Sequence, residues 1–312
     1  MKANVLMTGG AGYLGSIMVP YLIDQGYHVT VLDTLLYGQT PFLDRCLDPR
    51  FAFVRGDVRD ERVLAPLVAR ADFIIPLAAI VGAPACARDE TAATSVNRDA
   101  VALIQRLCSP SQGILFPTTN SGYGTGQRGE ACTEESRLAP LSTYARTKVE
   151  AETLLLDAGS AITFRLATVF GASPRMRLDL LVNDFVYRAI HDRAVVLFES
   201  HFTRNYLHVR DVARVFEHGF ERFGAMKGRA YNVGLSDANL SKRELCERIQ
   251  RHHPTFVFFD SDVGEDPDKR DYIVSNARIE GTGWRPLFSL DDGILELTRA
   301  YSILKQREFG NS

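Results

Sequence analysis

Three glycines stand three apart at Gly9, Gly12 and Gly15, directly after the apolar run Val5-Leu6-Met7. An apolar helical pattern follows at Ile17, Met18, Tyr21 and Leu22. That order reads as strand, tight turn and helix. Gly9 can take backbone angles closed to other residues. Gly12 lacks a Cβ, so a pyrophosphate can approach the backbone, and Gly15 lets the helix pack close on the strand. Together with Tyr13 and Leu14, the turn offers backbone N–H groups and the positive end of a helix dipole to an anion. The next apolar run, Val29-Thr30-Val31-Leu32, ends in Asp33. An acidic residue about 20 residues past such glycines can accept both hydroxyls of an adenosine ribose and would repel a 2′-phosphate. The turn and Asp33 predict NAD(H) rather than NADP(H) as cofactor.

A second group of reactive side chains lies further on. Thr118-Thr119-Asn120-Ser121-Gly122-Tyr123-Gly124 closes the fifth apolar run with hydroxyls, an amide and a glycine turn, the makings of a polar pocket floor. Ser142-Thr143-Tyr144-Ala145-Arg146-Thr147-Lys148 follows; on a helix Tyr144 and Lys148 share one face. An ammonium beside a phenol favours phenolate and lowers its pKa from about 10, which makes Tyr144 a candidate general acid/base. The same spacing recurs at Tyr301 and Lys305. No glycine loop or strand end leads to that copy, and it reads as surface or packing. Asp57, in Gly56-Asp57-Val58, either contacts adenine or begins a turn. In Pro76–Gly82 the residues Leu77, Ala78 and Ala79 would let the backbone run beside a cofactor, a plain buried strand end being the alternative. Asn97 can hydrogen-bond the backbone of a neighbouring strand.

The elements that must position these groups alternate. Strands are expected at Ala3–Met7, His28–Leu32, Phe51–Arg55, Phe73–Leu77, Gly113–Pro117 and Ala161–Leu166, with helices at Gly12–Gln25, Glu61–Ala69, Glu90–Leu107 and Ser142–Ala158. Continuous apolar strands with intervening helices indicate an α/β fold, a Rossmann-type doubly wound parallel sheet covered on both faces. Ligands then sit at the carboxyl ends of the strands. After Gly171 the alternation becomes irregular: a helix over Arg175–Arg193, a strand running into a helix over Thr203–Val212, a short strand at Tyr231–Gly234, a helix capped by Ser241 with Glu244 at capping-box spacing, and a last helix at Leu290–Leu304. The expected division is a cofactor domain over 1–170, with 200–234 returning to it, and a smaller, partly discontinuous domain over 171–199 and 235–312.

A chain of 312 residues, 46% apolar and 24% charged, can bury a large core, and its net charge of −2 sets up no field for nucleic acid or membranes. The cysteines Cys46, Cys86, Cys108, Cys132 and Cys246 show no metal spacing, and reduced cytosolic thiols are the default. No signal peptide precedes the first strand and no apolar run approaches the ~20 residues a membrane span needs. The expected location is the cytoplasm.

These residues together resemble the extended short-chain dehydrogenase/reductases of the NAD-dependent epimerase/dehydratase family, which act on nucleotide sugars. The family's glycine fingerprint matches Thr8-Gly9-Gly10-Ala11-Gly12-Tyr13-Leu14-Gly15, its catalytic Ser/Thr matches Thr119, and its Tyr and Lys match Tyr144 and Lys148. Its diphosphate-binding arginine matches Arg204, with Asn205 where Asp is usual, and a second falls near Arg270. Its Leu-Arg-x-x-Asn-Val-Tyr-Gly segment appears as Phe164–Gly171, with Thr168 in place of the asparagine. Within the family the chain looks most like NAD-dependent enzymes that oxidise C4 of a GDP-linked heptose for bacterial capsule or surface polysaccharide. The stretches Pro76–Pro84, Thr119–Gly124, Pro174–Phe185 and Gly264–Tyr272 carry that likeness, and they imply Asn120, Ser121, Thr168, Arg175, Asn183, Arg204 and Arg270 on the substrate. Dehydratases of the family carry an Asp-Glu pair after the catalytic Thr, and decarboxylases a Ser-Glu pair; Asn120 and Ser121 stand here. The resemblance therefore implies a C4 dehydrogenase, with a 4-epimerase as the alternative and a non-catalytic NAD-binding regulator as a remote one. It also implies a homodimer built on the helices containing Asn97–Leu107 and Tyr144–Leu156, with Leu103, Leu107, Leu154 and Leu155 outward.

Overall fold

The structure is a computed structural model that describes residues 2–126, 130–261, 263 and 270–304. The strands are β1 Asn4–Thr8, β2 His28–Asp33, β3 Phe51–Arg55, β4 Phe73–Pro76, β5 Gly113–Thr119, β6 Ala131–Cys132, β7 Ala161–Leu166, β8 Thr168–Phe170, β9 Ala194–Leu197, β10 Thr203–His208, β11 Arg229–Val233, β12 Asn239–Ser241, β13 Val257–Asp260 and β14 Ile273–Val274. The helices are α1 Gly15–Asp24, α2 Glu61–Val68, α3 Ala83–Arg88, α4 Glu90–Thr94, α5 Ala100–Leu107, α6 Thr143–Asp157, α7 Leu181–His191, α8 Val209–Glu221, α9 Phe223–Met226, α10 Lys242–His252, α11 Ala277–Gly281 and α12 Leu290–Ile303.

Seven parallel strands form the central sheet in the order β11-β7-β5-β4-β1-β2-β3. Strands β1, β4, β5 and β7 are almost wholly buried because helices cover both faces. The chain leaves β1 towards β2 and β3, then returns to place β4 on the other side of β1. That reversal opens a crevice at the carboxyl end of β1, above the glycine turn. Strand β11 closes the far edge by pairing with β7. Strand β10 stands outside the sheet, between β8 and β12. Among the described residues, no helix is long and apolar enough to cross a membrane.

Three expectations fail for tertiary reasons. The helix expected over Glu90–Leu107 is interrupted by a π-helical turn at Ser95–Asp99, where Asn97 turns inward. The helix expected from Arg175 starts only at Leu181: 175–180 is an irregular, bent segment, tied down where Arg175 N–H donates to Ser16 Oγ and the Arg177 carbonyl accepts from Asn183 Nδ2. Leu155 is not outward. It is fully buried in the chain's own core, with Leu103, Leu107 and Leu154 half-buried against it. The capping box at Ser241 and Glu244 forms as read, and a second forms at Ser289 and Asp292.

Candidate active site

The glycine turn is built for a close approach. Gly9 has φ +69°, and a Cβ on it would run into the Ala78 backbone. A Cβ on Gly15 would strike Gly10 rather than the strand, so the turn is tight upon itself. At Gly12 only the Gly9 carbonyl lies within 4 Å, at 3.2 Å, which leaves its outer side open. No side chain caps the start of α1 at Leu14, so its first N–H groups suit a phosphate. Asp33, at the end of β2, accepts from Ala11 N–H at 2.9 Å and from Leu35 N–H at 2.8 Å. Those bonds fix its carboxylate at the lip of the turn. The Tyr13 ring points elsewhere: its hydroxyl donates to the Gly171 carbonyl at 2.7 Å, so Tyr13 has only its backbone to offer a cofactor. Asp57 is taken up by a turn and by Arg59, whose guanidinium at 2.6 Å holds its carboxyl below the usual range. Val58 beside it is buried. Leu77, Ala78 and Ala79 are half-buried along the end of β4.

Asn97 performs the backbone role read for it. Its amide accepts from Ile80 N–H at 2.8 Å and donates to the Ile80 carbonyl at 2.9 Å, and it also donates to Thr147 Oγ1 at 3.3 Å. It thus ties the segment after β4 to the helix that carries Tyr144.

Thr119 ends β5, and its hydroxyl donates to Ser121 Oγ at 2.9 Å and accepts from Ser121 N–H at 3.1 Å. The Arg270 guanidinium meets Ser121 Oγ as well. Asn120, between them, is 1% exposed, and neither amide atom has a partner among the described residues. Tyr144 and Lys148 stand one turn apart on α6. Their electrostatics differ from the sequence expectation. Burial raises the Tyr144 phenol, and the opposing positive charges are Arg177 and Arg270. Lys148 is 4% exposed with its Nζ 3.8 Å from the centre of the Phe116 ring, and burial pulls it down to about 7 against the upward pull of Glu152.

The substrate-side residues divide. Arg204 is 2% exposed and its Nη1 donates to the carbonyls of Thr203, at 2.9 Å, and Arg270. It therefore fixes the segment that presents Arg270. Thr168 is half-buried on β8, opposite Tyr206. Asn183 is fully buried; its Oδ1 accepts from Gly171 N–H at 3.0 Å and its Nδ2 donates to the Arg177 carbonyl at 2.8 Å. Both ends of the amide serve the backbone, which gives Asn183 a scaffold role in this structure. Arg175 stacks 4.0 Å from the Tyr37 ring centre, against the loop after Asp33, which puts it on the cofactor side. The residue the sequence reading passed over is Arg177, paired with Asp179 and acting on Tyr144. The alternation of charge in Pro174-Arg175-Met176-Arg177-Leu178-Asp179 was its available signal. Tyr301 proves to be packing: it is 3% exposed and its hydroxyl donates to the Asn183 carbonyl at 2.7 Å. Lys305 and the run 264–269 lie outside the described residues.

Residues 5–234 match the family described as "NAD dependent epimerase/dehydratase family". The chain is 31% identical to low-salt glycan biosynthesis protein Agl12 of Haloferax volcanii, over 93% of this chain and 96% of that one. It is 30% identical to a dTDP-glucose 4,6-dehydratase of Actinoplanes, covering 96% and 97%. In fold it is similar to dTDP-glucose 4,6-dehydratase from Bacillus anthracis in complex with NAD, at TM-score 0.82 and 21% identity over 99% of both chains. It is likewise similar to Thermus thermophilus UDP-glucose 4-epimerase with NAD, at TM-score 0.81 and 24% identity over 96% and 99%. The chain belongs to the NAD-dependent epimerase/dehydratase family, and its cofactor is NAD.

Proposed function

We propose that this family member oxidises C4 of a nucleotide-diphosphate sugar and releases the 4-keto sugar, with GDP-D-glycero-α-D-manno-heptose as the substrate. The observation that carries the reading is local. Thr119, Tyr144 and Lys148 are all present, while the two positions after Thr119 hold Asn120 and Ser121, the latter engaged by Arg270. Neither can act as a carboxylate acid or base, so the elimination of water that a dehydratase needs has no agent there. Relatives named for dTDP-glucose and UDP-glucuronic acid support a nucleotide sugar as the substrate class. The GDP-heptose choice rests on the likeness of the stretches quoted above.

Bound NAD supplies the acceptor for the C4 hydride. Tyr144 takes the proton of the C4 hydroxyl, and Thr119 hydrogen-bonds the same oxygen and orients it. Lys148, one helical turn on from Tyr144, would hold the nicotinamide ribose and, when protonated, would add its charge in favour of the phenolate. Arg177 and Arg270 add positive charge that favours the phenolate. Arg270, held by Arg204, presents a guanidinium suited to paired phosphate oxygens.

The test is incubation of the protein with NAD and the GDP-heptose, followed by NADH absorbance and mass spectrometry of the sugar nucleotide. A product two hydrogens lighter, with stoichiometric NADH, is expected. An isomer of unchanged mass inverted at C4 would make the enzyme an epimerase. Loss of water would overturn the reading of Asn120 and Ser121.

A further inference from the structure

Residues 171–175 are laced onto the first turn of α1. The Tyr13 hydroxyl donates to the Gly171 carbonyl at 2.7 Å. Ser173 Oγ donates to the Tyr13 carbonyl at 2.8 Å and shares a hydrogen bond of 2.6 Å with Ser16 Oγ. Arg175 N–H then donates to Ser16 Oγ at 3.4 Å. Ser16 is the second residue of α1, so the Arg175 backbone is pinned beside the N–H groups that suit a phosphate. Arg175 itself is 2% exposed, and its Nη1 donates to the Met176 carbonyl at 2.9 Å.

The loop after β2 is the other anchor. Asp33 Oδ1 accepts from Leu35 N–H at 2.8 Å, and the Leu35 carbonyl accepts from Gly38 N–H at 2.9 Å. That bond closes a tight turn with Leu36 and Tyr37 at its tip, and Gly38, at φ +70°, takes the angle that lets the chain leave it. Tyr37 is 42% exposed, and the Arg175 guanidinium lies over its ring, 4.0 Å from the centre. The Arg175 side chain therefore reaches from the start of α1 to the turn that Asp33 braces. These are the places where a dinucleotide's diphosphate meets backbone N–H groups and its adenosine ribose meets a carboxylate. Contact with a ring occupies the face of a guanidinium, while its N–H donors lie in its plane and can still fork onto paired oxygens.

We propose that Arg175 binds the diphosphate of the NAD cofactor, and that Tyr37 is a positioning residue that holds its guanidinium across the cofactor's adenosine half. The inference rests on NAD as the cofactor and not on the identity of the sugar. It moves Arg175 from the sugar nucleotide, where the resemblance put it, to the cofactor. The glycine turn offers the diphosphate backbone dipoles, and Arg175 adds a full positive charge in a geometry that matches phosphate oxygens. Because the side chain bridges α1 and the Tyr37 turn, it acts as a strap, and the cofactor leaves once the ring lets the guanidinium go.

The experiment compares two diphosphates on one chain: calorimetric titration with NAD, and with GDP on the NAD-saturated protein. Arg175→Gln should weaken NAD binding about 10–100-fold, with no matching loss for GDP. Arg175→Lys, which keeps the charge and loses the fork, should fall between. Tyr37→Ala should speed release of NADH, followed by its fluorescence on mixing with excess NAD, and Tyr37→Phe, which keeps the ring, should not. In the Arg175→Gln background Tyr37→Ala should make no further difference, since the two side chains act as one unit. Unchanged NAD affinity in Arg175→Gln, or a loss that falls on GDP instead, would overturn the proposal. An unmodified protein that binds NAD but not GDP would sink the substrate reading alone, with the NAD comparison still deciding Arg175. Should Arg175→Gln not fold, Tyr37→Ala decides: NADH release as slow as from the unmodified protein overturns the strap.

Discussion

At the scale of single residues, Tyr144 and Tyr301 share a sequence spacing and nothing else. Tyr144→Phe removes the proton acceptor and leaves the ring, so kcat should fall ~10²–10⁴-fold with KM little changed. Tyr301→Phe should leave turnover intact but cost about 1 kcal/mol of stability, because a buried hydroxyl loses its bond to the Asn183 carbonyl. Steady-state kinetics and urea unfolding of both variants check this; near-normal turnover in Tyr144→Phe would displace the active site. Lys148 makes a prediction of opposite kind. Its folded pKa of about 7 lies below the ordinary 10.5, so between those values the unfolded chain binds more protons and stability rises with pH. Below about 7 the buried charge weighs fully against folding. Lys148→Met should therefore stabilise the NAD-free protein on the order of 1–3 kcal/mol at about pH 6 and much less at about pH 10. A gain independent of pH would show that the ammonium is not desolvated.

At the scale of elements, the groups read from sequence were those whose role is local. The glycine turn, Asp33 at a strand end and Ser241 with Glu244 each announce themselves within a few residues, because the backbone geometry they serve is made nearby. The π-helical turn at Asn97 and the irregular 175–180 segment were not legible, since their partners, Ile80 and Ser16, lie far off in sequence. Arg177 was hidden for the same reason: Tyr144, on which it acts, lies far off in sequence. Asn97 carries the element-scale prediction. Asn97→Ala strands the Ile80 N–H and carbonyl and cuts α6 from the segment after β4. Unfolding should become easier by about 1–3 kcal/mol, and NAD affinity, followed by calorimetry, should fall with it. An unchanged affinity in a folded variant would mean that this tie does not shape the cofactor side.

At the scale of the molecule, the parallel order of the sheet followed from the alternation of apolar runs and helices, whereas the return of β11 to its far edge needed the pairing itself. The expected assembly is a homodimer through α5 and α6. Leu155 cannot contribute, being buried within its own chain, which leaves the half-buried Leu103, Leu107 and Leu154. Sedimentation at micromolar concentration should give twice the chain mass; a single-chain species would overturn it. The late closure of the sheet also bears on how the chain is made. Strand β7 is complete at Leu166, but its outer neighbour β11 does not begin until Arg229. During synthesis the half of the sheet that ends up most buried therefore waits with an unpaired edge while the intervening chain emerges. Such an edge is a template for pairing with another copy. The contact that seals it is of high sequence separation, which slows closure. Chains cut short before Arg229 should then fail by self-association rather than by simple loss of the second half, and the solubility of nascent chains is decided by how soon β11 arrives.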